Sequence, residues 1–462
     1  MSEIIELATR GDKPAGGAPR VALIALGCAK NLVDAEQMLG SLEARGYRLV
    51  TRADEAEVVI VNTCSFLQAA RDEAIAEIRG AARLKRLGAC DTLVVSGCLA
   101  QLDPDLVRAK CPEVDIVIGV SEFPRLGEVL DAARADRALR PVEVSLPQMP
   151  YQDYLPRRRA TPPWTAYVKI AEGCDCACSF CLIPTIRGSF RSRSIESVTA
   201  EAQQLAREGV REINLIAEDL THFGRDWGGR RALADLLRAL GEVDGLAWIR
   251  LLYCYPTKVD DALIAAIAEV PKVVKYLDMP LQHAHNDILR AMNRGGRREG
   301  YLRLLGELRA AVPDICVRST FIVGFPGERR EEFAALESFL DEARLDRVGF
   351  FPFSAEKGTP AATLSGQVAP GVARSRVARL ALRQADISRQ RNAALVGRTM
   401  EVLTEESGPN GSTGRSYRDA PEIDGVVRFS GQAVPGEMAR VRIDSADEHD
   451  LAGSLAGDEV SR

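Results

Sequence analysis

Gly173-Cys174-Asp175-Cys176-Ala177-Cys178-Ser179-Phe180-Cys181 follows almost directly on the apolar run Ala166 to Ile170. Three of its cysteines, Cys174, Cys178 and Cys181, stand in a Cys-x3-Cys-x2-Cys spacing. A tight loop of that spacing can wrap three thiolates around one iron–sulfur cubane. Structural zinc sites are closed by four protein ligands, and common iron–sulfur clusters have four cysteines. Three ligands leave one metal position open, which is what a catalytic centre needs. Cys176, inside the x3 gap, is either a fourth zinc ligand or an incidental thiol facing away from the metal; the spacing favours the second.

Working outward from this loop, residues 163 to 355 alternate short apolar runs with helical patterns. The strand candidates are Ala166 to Ile170, Glu212 to Ala217, Trp248 to Tyr253, Val274 to Met279, Val317 to Val323 and Arg347 to Phe351. Ser194 to Glu208 and Ala232 to Leu240 read as helices between them. Six βα units predict a full or partial β/α barrel, with the cysteine loop at the end where barrel active sites gather. The amphipathic stretch Val372 to Leu395 closes this central domain, 163–395.

Residues 20–130 show a shorter alternation. Val21 to Leu26, Val58 to Val61, Thr92 to Ser96 and Asp115 to Ile118 read as strands, and Val33 to Arg45 and Phe66 to Leu84 as helices. This predicts a parallel α/β sheet domain. Cys28, Cys64 and Cys98 each follow one of these strands. In a parallel sheet the strand ends share one edge, and ligands bind there. The three cysteines are either separate buried thiols or, as their shared register favours, the ligands of a second cluster. Gly27 and Gly97, each just before a cysteine, let backbone approach a metal closely.

Residues 1–19 read as a flexible tail, and 131–162, with Pro141, Pro147, Pro150, Pro156 and Pro162, as a linker. Beyond residue 396, Met400 to Thr404, Val426 to Phe429 and Ala439 to Ile443 are short strands set among Gly and Pro. They predict a small β-barrel of OB-like type over 396–462.

The chain has 462 residues, 46% hydrophobic and 27% charged, so it can bury a sizeable core. No apolar stretch reaches the roughly 20 residues that span a bilayer. The run Val21 to Gly27 is at the short end for a signal peptide and follows Glu3, Glu6 and Asp12; a buried strand and a cytoplasmic location are expected. Eleven cysteines, an odd number, in a reducing compartment point to metal binding rather than disulfides. The net charge of −5 does not mark the whole chain as a nucleic-acid binder.

With both cysteine triads and the β module in place, the chain resembles the methylthiotransferases, a family of radical S-adenosylmethionine (radical SAM) enzymes. The resemblance runs from about 20 to 455. It includes Leu251-Leu252-Tyr253-Cys254-Tyr255-Pro256, Tyr276-Leu277-Asp278-Met279-Pro280-Leu281-Gln282-His283, Phe321-Ile322-Val323-Gly324-Phe325-Pro326-Gly327-Glu328 and Gly414-Arg415-Ser416-Tyr417-Arg418-Asp419-Ala420-Pro421-Glu422. It implies two 4Fe-4S clusters, a catalytic one on Cys174, Cys178 and Cys181 and an auxiliary one on Cys28, Cys64 and Cys98. The auxiliary cluster would carry the sulfur to be inserted. One SAM molecule would methylate that sulfur, and a second would yield a 5′-deoxyadenosyl radical. That radical would take a hydrogen from the substrate carbon. Glu218-Asp219 stands where many relatives have Gln-Asp, which leaves the role of Glu218 open.

Two branches of the family fit this chemistry. One modifies the β-carbon of an aspartate in small-subunit ribosomal protein S-twelve, free or within the assembled subunit; the other modifies an adenosine of tRNA. The C-terminal module resembles a TRAM domain, often an RNA-binding barrel. Yet Leu395 to Arg462 holds 7 Arg and no Lys against 13 Asp plus Glu, a balance of 7 − 13 = −6. Phosphate binding depends on Lys and Arg, so this module suits a basic protein and favours the ribosomal-protein branch. An electron-donor protein is a further implied partner. A non-catalytic iron–sulfur carrier is the rival from another class, and the open iron argues against it.

Other residues are less decisive. Gly324, Gly327 and Glu328 either contact SAM at the barrel mouth or form a plain strand-to-helix turn. Arg187, Arg191 and Arg193 either attract a carboxylate or make a solvated basic face. His283 and His285 read as structural or supporting residues, and Cys90, Cys111, Cys254 and Cys316 as ordinary thiols.

Overall fold

The computed structural model describes residues 3–4, 18–146 and 156–456. The N-terminal sheet runs in the order Glu3–Ile4, Arg20–Ala25, Val58–Thr63, Thr92–Gly97, Ile116–Ile118 and Val142–Glu143, with Arg48–Leu49 also paired to Arg20–Ala25. All pairings are parallel except that of Glu3–Ile4. Val58–Thr63 and Thr92–Gly97 are buried along their whole length, as the unbroken apolar runs of a doubly covered parallel sheet require. Most of the expected tail lies outside the described residues, but Glu3–Ile4 forms an edge strand.

The central domain has all six expected strands in one parallel sheet. Its order is Arg347–Pro352, Cys316–Val323, Val273–Asp278, Trp248–Leu251, Glu212–Ile216, Thr165–Lys169. The first and last of these do not pair, so the barrel is partial. Helices such as Ile195–Arg207, Ala232–Gly241, Arg298–Ala311 and Arg330–Ala343 cover its outer face, and the long helix Pro370–Ala393 packs on the edge strand Arg347–Pro352. The C-terminal strands Thr399–Gly408, Gly411–Ser416, Val427–Ser430, Leu451–Leu455 and Met438–Ala446 close into a five-stranded barrel. Among the described residues no helix is long and apolar enough to cross a membrane.

The expected linker differs from a free tether. Residue 131 lies within the helix Leu126–Ala135, and Val142–Glu143 extends the N-terminal sheet; residues 147–155 lie outside the described ones. The following stretch is pinned. Arg157 pairs with Glu36 at 2.6 Å and with Glu201 at 2.9 Å. The Arg158 N–H donates to the Glu36 carbonyl, and that of Ala160 to its carboxylate. Prolines there stop regular structure, but buried ion pairs fix the chain in place of a ladder.

Two domains dock on opposite ends of the central sheet. The helix Ala29–Ala44 packs against Thr165–Lys169, while Arg71 and the Gln68 N–H engage Glu356, beyond the other edge strand. At the N-terminal ends of the strands, Arg415 of the small barrel binds Glu212 at 2.6 Å, Arg418 binds Asp346 at 2.8 Å, and Arg347 binds Asp419 at 2.8 Å.

Candidate active site

The Cys174–Cys181 loop leaves the first central strand through a short hairpin, Ala171–Glu172 with Arg191–Ser192. Gly173 sits at φ +81°, and a Cβ there would lie 2.2 Å from the Ser189 carbonyl oxygen. Only glycine makes that turn without strain. The Cys174 N–H donates to Gly188, and Cys181 N–H to Cys178. The amides of Cys176 and Ile183 point at the sulfurs of Cys174 and Cys181, each at 3.4 Å. Arg294 lies 3.7 Å from the Cys178 sulfur and stacks 3.8 Å over Tyr255. Backbone N–H groups and a guanidinium aimed at sulfur stabilise thiolate charge.

The Cys176 thiol lies against Lys258 and Asp219, at 3.8 and 3.9 Å. Lys258 is itself bonded to Asp219 at 2.6 Å and to His222 at 2.8 Å.

The second triad forms where the N-terminal strands end. Cys28 caps the helix Ala29–Ala44, and Cys98 opens the short helix Cys98–Leu102. A Cβ on Gly27 (φ +98°) would meet the Cys64 sulfur at 3.0 Å, and one on Gly97 (φ +91°) would meet Asn62 and Thr63 at 2.5 Å. The backbones carrying the three cysteines therefore touch. Asn31 ties them further, donating to the Leu26 and Thr63 carbonyls at 3.0 and 2.8 Å. Burial first, with the neighbouring Cys28 among the further causes, raises Cys64; burial, with Cys28 and Cys64 adding to it against Arg187, pushes Cys98 up to about 12. Burial also pushes Cys181 up to about 12.

Such thiols ionise only against a strong positive partner, and thiolate sets of this kind suit soft metals, iron–sulfur clusters among them. Among the described residues no three His, Cys, Asp or Glu side chains gather around a single metal-ion position. A cubane needs three thiolates on three separate irons rather than around one ion, so the donor type of both triads, three cysteines each, is the one such a group takes.

The triads face each other across the domain boundary. Leu182 and Ile186, just after Cys181, pack on Cys98. Arg187, at the end of the helix Ile183–Arg187, reaches the Cys98 sulfur at 3.6 Å and Asn31 at 2.6 Å. It also binds Asp34 at 3.1 Å and Glu172 at 2.8 Å. The expectation of a solvated basic face fails here: Arg187 is 1% exposed, and Arg193 is buried against Glu201, Ser197 and the Lys169 carbonyl. Arg191 is partly exposed and bonded to the Ser189 and Arg187 carbonyls.

At the barrel mouth Gly324 (φ +79°) packs its Cα on Ala373, where a Cβ would come within 2.5 Å. Glu328 is buried and accepts from Arg376 at 2.6 Å and the Gly324 N–H at 2.9 Å, with His283 at 3.2 Å. Its carboxylate braces the turn from behind, and His283 is fully buried beside it. Gly327 (φ +87°) faces open space. His285 caps the helix Asn286–Ala291. Sequence reasoning missed Lys30, Asn31 and Arg294. Only Asn31 carried a local signal, its place one turn beyond Cys28.

Residues 20–119 match the uncharacterized protein family UPF0004, residues 168–340 the radical SAM superfamily, and residues 396–455 the TRAM domain. The chain is 46% identical over 460 residues to the ribosomal protein uS12 methylthiotransferase RimO of Symbiobacterium thermophilum, covering 98% of this chain and 94% of the relative. The same-named protein of Geobacter sulfurreducens is 44% identical, covering 94% and 98%. Among solved structures, the radical SAM methyltransferase TsrM of Kitasatospora setae aligns with a TM-score of 0.53 at 17% identity, over 72% of this chain and 73% of that one. The cobalamin-dependent radical SAM enzyme OxsB aligns at 0.52 and 13% identity, over 75% and 54%. These two share the fold. The chain therefore belongs to the RimO family of ribosomal protein uS12 methylthiotransferases, within the radical SAM superfamily.

Proposed function

We propose that this protein methylthiolates the β-carbon of an aspartate in ribosomal protein uS12, with SAM as methyl donor and radical source. The observation that carries the reading is the approach of the two cysteine triads at one domain boundary, where Leu182 and Ile186, just after Cys181, pack on Cys98 and Arg187 reaches its sulfur. Cys174, Cys178 and Cys181 would hold the catalytic 4Fe-4S cluster, and Cys28, Cys64 and Cys98 the auxiliary one. When bound, the first supplies the electron for reductive cleavage of SAM and the second the sulfur for insertion. A radical is needed because the β C–H bond offers a base no acidic proton.

The chain's own residues shape that space. Gly327 leaves room for SAM at the barrel mouth, while Gly324 and Glu328 hold the turn. Arg187 seals the boundary between the triads, and Leu182 and Ile186 exclude water from Cys98. The small barrel supports a basic protein partner. Two of its arginines, Arg415 and Arg418, are turned inward to Glu212 and Asp346. Glu401, Glu406, Glu422, Glu437, Asp444 and Asp447 remain exposed, against Arg398, Arg428, Arg440 and Arg442. Such complementarity raises association rate and selectivity. The partners are uS12, free or in the assembled small subunit in the cytoplasm, and an electron-donor protein.

The test is the mass of uS12 from cells with and without this gene, with tRNA nucleosides analysed in parallel. Loss of one methylthio group from a single aspartate supports the reading. A change confined to tRNA overturns it.

A further inference from the structure

We infer that the Lys30 ammonium binds the side-chain carboxylate of the substrate aspartate between the two cysteine triads. The inference rests on the uS12 reading above and deepens it.

Lys30 lies in the first turn of the helix Ala29–Ala44, two residues beyond Cys28. It is 6% exposed. Its Nζ stands 3.2 Å over the centroid of the Tyr253 ring. Its nearest carboxylate is Glu218, at 3.8 Å, outside hydrogen-bond reach. Among the described residues, no acceptor bonds this ammonium. Lys169, equally buried, is bonded to both Asp34 and Glu172.

An ammonium has three donors. Burying them unmatched is costly, and a ring face offsets only part of that cost. Glu218 is slack as well: its second cation, Arg187, is 3.6 Å away. Two cations thus share one loosely held carboxylate, beside Cys28 and the end of the helix Ile183–Arg187. The missing component is a small anionic acceptor that arrives with the substrate. A carboxylate held on Lys30 keeps its neighbouring β-carbon between the two triads, where hydrogen abstraction and sulfur transfer must both reach it.

The platform beneath Lys30 is fixed. Tyr253 holds φ +67°, rare for a bulky residue. Its N–H donates to Asp278 at 3.0 Å, and Asp278 is held by Arg318 at 2.9 Å. The ring therefore does not follow the ammonium elsewhere.

The experiment compares uS12 with a form whose target aspartate is replaced by asparagine, using reconstituted enzyme carrying Lys30, Lys30→Gln or Lys30→Arg. Iron content and the electron paramagnetic resonance signals of both clusters are recorded for each variant. The wild type should favour the aspartate form in kcat/KM by about 10- to 100-fold, the range of one charge-assisted hydrogen bond. Lys30→Gln should erase that preference with iron content intact, and Lys30→Arg should restore part of it. Undiminished preference in Lys30→Gln overturns the inference while uS12 methylthiolation stands. Should Lys30→Gln lose iron, the preference is read in Lys30→Met reconstituted to wild-type iron content: a lost preference supports the inference, and a full wild-type preference overturns it. A wild type inactive on every uS12 form takes down both readings.

Discussion

The central sheet carries a partner domain at each end, and both junctions are built from buried charges. At the lower one, each carboxylate meets a guanidinium closely: Glu212 with Arg415 at 2.6 Å, Asp346 with Arg418 and Asp419 with Arg347 at 2.8 Å. At the upper one, Asp34 and Glu172 are similarly bound, but Lys30 and Glu218 stand 3.8 Å apart. Closed pairs give a fixed joint. A buried pair left open marks the place where something else must bind. The difference separates the junction that positions a domain from the junction that does chemistry.

The largest effect should come from the six triad cysteines, which all lie at the upper junction. Cys178→Ala should abolish 5′-deoxyadenosine formation and remove only the iron of its own triad. Cys98→Ala should remove the other iron and stop methylthio transfer. Persistent SAM cleavage in Cys178→Ala would refute the assignment of the catalytic site.

Arg415→Met tests the lower junction. It leaves Glu212 buried beside Arg250 alone, and breaking such a pair costs about 3–5 kcal/mol. Urea unfolding should show that loss, in a separate early transition of the small barrel. Arg187→Met should give a loss of similar size together with lowered iron retention, since it leaves Asp34 and Glu172 to Lys169 alone and removes the cation beside Cys98.

Acid probes the lower junction without mutation. Burial alone would raise the Glu212 carboxyl, but Arg415 and Arg250 outweigh it and hold the group at about 2. A depressed carboxyl contributes stability that is present above its unfolded value, near 4.5, and lost as pH falls toward 2. The shift corresponds to roughly 3 kcal/mol. Glu212→Gln should flatten that part of the stability profile; an unchanged slope between pH 4.5 and 2 would contradict the ion-pair account.

Smaller effects should follow from the turns. Gly97→Ala and Gly173→Ala each place a Cβ in a left-handed conformation against backbone, at about 1–3 kcal/mol. Iron analysis should find each variant impaired chiefly in its own triad.

Much of this arrangement is legible in the sequence because it is local or periodic. The Cys174–Cys181 spacing is a property of one loop. The six central strands are unbroken apolar runs, and the edge cysteines follow from strand register. What is not legible depends on a partner distant in the chain. Arg187, Arg191 and Arg193 read as a basic face, yet Arg187 meets Asp34 and Arg193 meets Glu201. Arg157 sits in a proline-rich stretch that reads as a tether, but Glu36 fixes it. Glu328 reads equally as a ligand contact or a turn, and Arg376, in the long helix, turns it inward. Charge on a sequence does not disclose its countercharge.

The six-stranded sheet stops short of closure, between Thr165–Lys169 and Arg347–Pro352. A closed barrel admits reactants only through its mouth, and widening it would break ladder hydrogen bonds. Here the gap is bracketed by the N-terminal domain at one end and the small barrel at the other, with Phe351 exposed on its lip. The N-terminal domain engages both edges of that gap, its helix Ala29–Ala44 on Thr165–Lys169 and its Arg71 on Glu356 beyond Arg347–Pro352. The width of the opening is therefore set by how that domain sits, and it can change without a single strand pairing being given up.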